Sequence, residues 1–132
     1  MRVWEMNTHE DAIIRSFIAS PRRPRWLELL VSDKRGRMVG KLNHCTALDE
    51  RYTTALPKDT DVVALLRSKG APQTCYVLSC DDAIDGQEME LTEAFAKTRD
   101  GGWGTIIGCI PGKLAFYYDE LGDRRILLER PS

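Results

Sequence analysis

The sequence has no uncharged apolar run approaching the roughly twenty residues that a membrane-crossing helix needs. Its opening Met-Arg-Val-Trp-Glu-Met-Asn lacks the apolar core of a secretory leader, so a cytoplasmic location with reduced thiols is expected. Cys-x-x-Cys and His-x-x-x-His are absent, and there are only two histidines, His9 and His44. Those absences weaken the common zinc arrangements. Cys45, Cys75, Cys80 and Cys109 read instead as small buried hydrophobes. If Cys75 and Cys80 sat on one strand, five residues apart, they would point to opposite faces and could not share an ion. No metal and no cofactor is expected.

Phosphate loops are missing too. Gly101-Gly102-Trp103-Gly104 is rich in glycine, but it follows a helical pattern and precedes a strand pattern. A phosphate cradle needs the reverse order, because its ligand rests on amides at the start of a helix. Pro111-Gly112-Lys113 lies between strand patterns and reads as a turn.

What is present suits one ordinary domain spanning residues 1–132. Apolar residues make up 42% and charged residues 30%, which excludes a disordered chain. A helical part over about 1–70 gives way to a sheet part over about 71–132. Thr8 is the expected cap of a first helix over 8–19, with Ile13, Ile14, Phe17 and Ile18 at helical spacing. A second helix runs from Pro24 to about Ser32, and a third from about Lys34 to Cys45. In the third, Gly36 and Gly40 weaken the helix but would admit a neighbouring backbone. Residues 46–58 read as an ordered loop. A fourth helix is capped by Asp59 or Thr60 and stopped by Gly70.

Thr74–Ser79, Thr105–Ile110, Leu114–Tyr118 and Arg125–Leu128 then have strand character, with Gln87–Leu91 a candidate edge strand. A short helix capped by Thr92 lies among them and closes at Asp100-Gly101-Gly102. The fold expected is α+β, with three or four N-terminal helices packed against a C-terminal, mostly antiparallel sheet of three to five strands.

Charge is the strongest functional signal. The whole chain carries −1, yet residues 15–41 carry +6 while residues 42–132 carry −5. Arg22, Arg23, Arg25, Lys34, Arg37 and Lys41 are the candidate contacts for an anionic partner, most plausibly the RNA or DNA backbone. Lys34, Arg37, Lys41 and His44 would form one stripe on the third helix. Together with the second helix it meets part of a helix-turn-helix description. Asn43 and the arginines could read base edges, and Trp103, Tyr117 or Tyr118 could stack on bases.

The competing reading of this segment is a solvated or protein-facing basic surface. Two other functions stay open. In a metal-assisted phosphodiesterase or other hydrolase, Asp82, Asp85 and Glu88 would hold a divalent ion and His44 would act as base. In a non-catalytic protein-interaction module, binding a protein partner or forming a homodimer, the Trp103 loop or a free sheet edge would make the contact.

Overall fold

The computed structural model describes residues 7–131. Residues 1–6, most of the opening stretch in which no leader is expected, and Ser132 lie outside the described residues. In chain order the elements are α1 (Thr8–Phe17), α2 (Arg23–Leu30), α3 (Arg35–Val39), β1 (Thr53–Ala55), α4 (Val62–Ser68), β2 (Thr74–Ser79), β3 (Gln87–Glu90), α5 (Leu91–Gly101), β4 (Thr105–Ile110), β5 (Leu114–Tyr118) and β6 (Arg125–Glu129). The fold is therefore α+β. None of the described helices is long and apolar enough to cross a membrane.

The six strands form one antiparallel sheet in the order β1-β6-β5-β4-β2-β3. That exceeds the three to five strands expected. The additional strand is β1, drawn from the segment read as a loop. Thr53-Thr54-Ala55 pairs with Ile126–Leu128 and is only half covered, so its sequence carries little strand signal. Both edges, β1 and β3, are short, which limits the backbone left open to pairing with other chains.

Helices cover both faces of the sheet, rather than one helical layer covering one face. Tyr76, Leu78, Ile106, Ala115, Tyr117, Ile126 and Leu128 point to the side of α1, α2 and α3. Cys75, Val77, Ile107, Cys109, Phe116 and Leu127 point to the side of α4 and α5. The period-two alternation of strands sorts them. All five β5 residues are buried, which is what a central strand covered on both faces requires.

Local signals explain most element ends. Asn7, not Thr8, caps α1: its Oδ1 accepts from His9 N at 2.8 Å. Asp61 caps α4, one or two residues after the expected Asp59 or Thr60, and Glu90 caps α5, two residues before the expected Thr92. Gly102 ends α5 in the left-handed conformation, with φ at 74°. The third helix is much shorter than expected. It stops at Val39, passes through a 3-10 turn at Gly40–Leu42, and breaks at His44, whose φ is 55°.

Gly36 and Gly40 approach nothing, since a methyl group on either would meet no atom within 4 Å. The close backbone contact occurs one turn later and comes from the other side. A Cβ on Gly104 would lie 2.4 Å from the carbonyl carbon and oxygen of Leu42.

A five-residue helix has little stability of its own. α3 is held by Met38 and Val39 in the core and by Arg35. The Arg35 guanidinium forms a two-pronged pair with Glu10 of α1, at 2.7 and 2.6 Å. It forms a second with Asp85, at 2.9 and 3.1 Å, and also donates to the Leu30 carbonyl. Glu10 accepts in addition from the Tyr76 hydroxyl of β2, and Asp85 from the Ser79 amide. Hydrogen bonding to Glu10 raises the Arg35 pKa further against the opposing effect of burial, so the charge is permanent.

Two stability predictions follow from these contacts. Glu10→Gln removes the buried carboxylate facing the half-buried Arg35 and lowers unfolding free energy by about 2–3 kcal/mol. Arg15→Ala, which breaks an exposed pair with Asp11, lowers it by no more than about 0.5 kcal/mol. Urea titration of both variants checks the contrast. Gly104→Ala drives a methyl group into the backbone at Leu42 and destabilises by about 3 kcal/mol. Gly36→Ala, in a helix with open space around it, stabilises by about 0.5–1 kcal/mol. Equal melting temperatures for these two variants would contradict the packing described.

Candidate functional site

A cleft of about 330 Å³ opens where the start of α2 meets the chain that follows α3. The buried side chains of Trp26 and Met38 help to line it together with the exposed His44 imidazole, and Arg22, Arg25 and Lys41 bring the charge. No carboxylate lines it. Three of the six expected basic residues are thus gathered at one concavity.

The position of the arginines is unusual for a helix. The N-terminal end of a helix is the positive end of its dipole, where cations are disfavoured by about 0.3–1 kcal/mol each. Arg22, Arg23 and Arg25 nevertheless crowd the start of α2, with no acidic residue in its first turn. Arg23 is compensated: its Nε donates to the Ile18 carbonyl at 2.8 Å, and the guanidinium lies 3.9 Å from the buried Asp49. It braces the corner between α1 and α2 and is absent from the cleft lining. Arg22, Arg25 and Lys41 have no ion-pair partner among the described residues. Lys34, just before α3, and Arg37 on it are exposed but do not line the cleft.

One wall is fixed by a buried carboxylate that the sequence did not single out. Asp119 follows β5, is fully buried, and accepts from His44 N at 2.6 Å, Glu120 N at 2.7 Å and Arg124 Nε at 2.8 Å. Burial pushes its carboxyl up, but these donors, led by Arg124, outweigh that and hold it below the usual range. Arg124 continues to the Cys45 carbonyl at 2.8 Å. Tyr117 donates to the Leu42 carbonyl and accepts from Cys45 N at 3.1 Å. The left-handed backbone at His44 is stabilised by this network. The imidazole itself is exposed and lies 3.1 Å from Glu120.

Several expected readers of nucleic acid are engaged elsewhere. Asn43 holds Gly104 N through Oδ1 at 2.7 Å and Cys80 Sγ through Nδ2 at 3.3 Å. Tyr117 and Tyr118 are both buried, so neither offers a stacking face; Trp103 is 45% exposed. With five residues, α3 does not make the second helix of a helix-turn-helix.

Of the residues of the hydrolase reading, Asp82 is exposed in the turn after β2 and the other three face different partners. Asp85 is bound to Arg35, Glu88 pairs with His9 at 3.1 Å, and His44 pairs with Glu120. Among the described residues, His44, Asp119 and Asp123 are near enough to share an ion. Asp119 already faces the Arg124 guanidinium, which opposes a cation there. The thiols are distributed similarly. Cys45 packs on the α1–α3 side of the sheet and Cys75 and Cys109 on the other, where burial pushes both up to about 12. They are inert at neutral pH.

No protein-family model, curated protein or solved structure matches the chain.

Asp119 also dictates an acid response. A carboxyl whose native pKa lies below its unfolded value of 3.8 contributes stability above that value and loses it as pH falls through the native one. Asp119→Asn should cost about 3 kcal/mol at pH 7, by leaving Arg124 without its buried partner. The penalty should shrink as the wild type is acidified below about pH 4. Denaturant titrations at pH 7 and pH 3 measure it, and an equal penalty at both would contradict the assignment.

Proposed function

We propose that this domain is a non-catalytic binding module whose cleft holds phosphate groups of a nucleic-acid backbone. The observation that carries this reading is the convergence of Arg22, Arg25 and Lys41, without ion-pair partners among the described residues, on a cleft without carboxylates. Two of the three sit at the positive end of α2, where they do not serve helix stability. A bound phosphate would be favoured by all three cations and by that helix end together. Lys34 and Arg37 extend the positive surface along α3 and would follow the backbone beyond the cleft.

The reading is one of backbone contact without base recognition. Asn43 has its amide committed to Gly104 and Cys80, and the buried tyrosines give no stacking surface. The separate engagements of Asp85, Glu88 and His44 weigh against a metal-assisted hydrolase.

The three cleft cations alone predict a slope of about −2.7 in log affinity against log salt on duplex, or roughly a 40-fold loss between 50 and 200 mM, and contacts from Lys34 and Arg37 would steepen it. Fluorescence anisotropy with labelled duplex and single-stranded DNA and RNA measures this. Arg22→Ala, Arg25→Ala and Lys41→Ala should each reduce the slope by about 1 with little dependence on sequence. Arg23→Ala should leave the slope unchanged. Absence of binding at 50 mM salt, or an affinity indifferent to salt, refutes the proposal.

A further inference from the structure

A different surface carries a second interaction. Trp103 and Leu121 are the large hydrophobic side chains left exposed among the described residues, at 45% and 84%. They come from separate segments, the turn after α5 and the turn after β5, which meet at Gly102. Leu121 N donates to the Gly102 carbonyl at 2.7 Å. The Leu121 side chain lies over Gly102, where an added Cβ would come within 3.2 Å of its Cδ2.

Leu121 is also held in a backbone conformation that disfavours it. Its φ is 58°, in the left-handed region where glycine is the unstrained residue. Neither burial nor backbone preference explains a leucine there. Such strain persists only where the surroundings impose it, and it concentrates at sites that act on something else. The surroundings here are rigid. Asp119 accepts from Glu120 N next to Leu121, Gly122 N donates back to the Asp119 carbonyl at 2.8 Å, and Asn43 pins Gly104 beside Trp103.

The patch is bordered by acids. Glu120 and Asp123 stand on either side of Leu121 in the same turn. Asp100 precedes the Gly101-Gly102 pair, and the Asp81 carboxylate reaches to within 2.6 Å of where a Gly101 Cβ would stand. Of the groups nearby, Arg124 is committed to Asp119 and the Cys45 carbonyl, Arg99 lies 3.9 Å from Asp100, and the His44 imidazole lies 3.1 Å from Glu120, which leaves Asp81 and Asp123 without a cationic partner among the described residues. We propose that the Trp103–Leu121 patch is a preformed docking surface for a basic segment of a protein partner that brings an apolar socket to Leu121 and Lys or Arg side chains to the surrounding carboxylates. Charge complementarity selects the partner and the fixed leucine anchors it, with little ordering left to do on binding. The proposal is independent of the phosphate cleft and uses none of its cations.

The test uses a labelled ten-residue peptide of lysines carrying two leucines, an all-lysine control, and a peptide with the lysines replaced by glutamates. Anisotropy and the tryptophan emission of the whole protein are the readouts. The lysine–leucine peptide should bind and shift the emission to shorter wavelength, and the two controls should bind at least tenfold more weakly. Leu121→Gly should weaken binding by roughly tenfold or more, the effect of removing an anchoring side chain. The same variant should keep or raise the melting temperature, because glycine relieves the left-handed strain. A purely structural leucine would not separate the two effects. Trp103→Ala should also weaken binding, whereas the Arg22→Ala/Arg25→Ala double variant should not. The proposal is overturned if the lysine–leucine peptide does not bind, if all-lysine binds equally, or if Leu121→Gly binds like the parent. It is also overturned if sedimentation shows a dimer that Leu121→Gly dissolves, since a second copy would then cover the patch.

Discussion

Arg35 is the joint of the helical layer. Its guanidinium ties Glu10 of α1, the Leu30 carbonyl ending α2, and Asp85 in the turn after β2, while Glu10 and Asp85 pass the link on to Tyr76 and Ser79 of the sheet. A hydrophobic contact can slide. A doubly two-pronged arginine cannot, because each fork fixes both distance and plane. The short α3 is oriented by it, and the turn that carries the chain from α3 into the cleft starts from that orientation. The cleft cations are therefore placed by a cation that takes no part in the cleft.

A second polar centre fixes the far wall in the same manner. Asp119 gathers amides from two turns and a guanidinium from a third point, and so determines both the His44 bend and the turn that presents Leu121. The two surfaces proposed as contact sites thus depend on one buried carboxylate, though they differ in sign: a cleft carrying cations, and exposed apolar side chains with acids beside them in the chain. The division of charge along the chain becomes a division in space. The full charge of the 15–41 segment does not reach the surface as free cations, since Arg23 and Arg35 are turned to internal carboxylates and carbonyls.

Much of the fold was legible because local rules agree with it. The spacing of Ile13, Ile14 and Phe17, the strand character of Thr74–Ser79, and the Gly102 stop each express a preference that packing reinforces. What escaped the sequence depends on residues far away in the chain. The third helix stops early because Asp119, 75 residues on, favours a left-handed His44. β1 is a strand only because β6 is beside it. Coverage of both sheet faces was signalled by Leu-Ala-Phe-Tyr-Tyr, a run without polar alternation. At the cleft, the arginines were visible as a group, but composition does not distinguish the braced Arg23 from the uncompensated Arg22 and Arg25. Leu121 had a faint signal: one large aliphatic residue between Glu120 and Gly122-Asp123, in a turn that would otherwise be wholly polar.

The strand order has a consequence for how the chain comes off the ribosome. β6 is the last strand to be synthesised, yet it lies inside the sheet, between β5 and β1. Until residues 125–129 emerge, β5 has an open edge and Thr53–Ala55 has nothing to pair with. The sheet therefore cannot be completed before that last segment is free to pair. Such an edge invites pairing between neighbouring chains. The shortness of β1, three residues with two of them exposed, limits how much unpaired strand must wait for that late arrival.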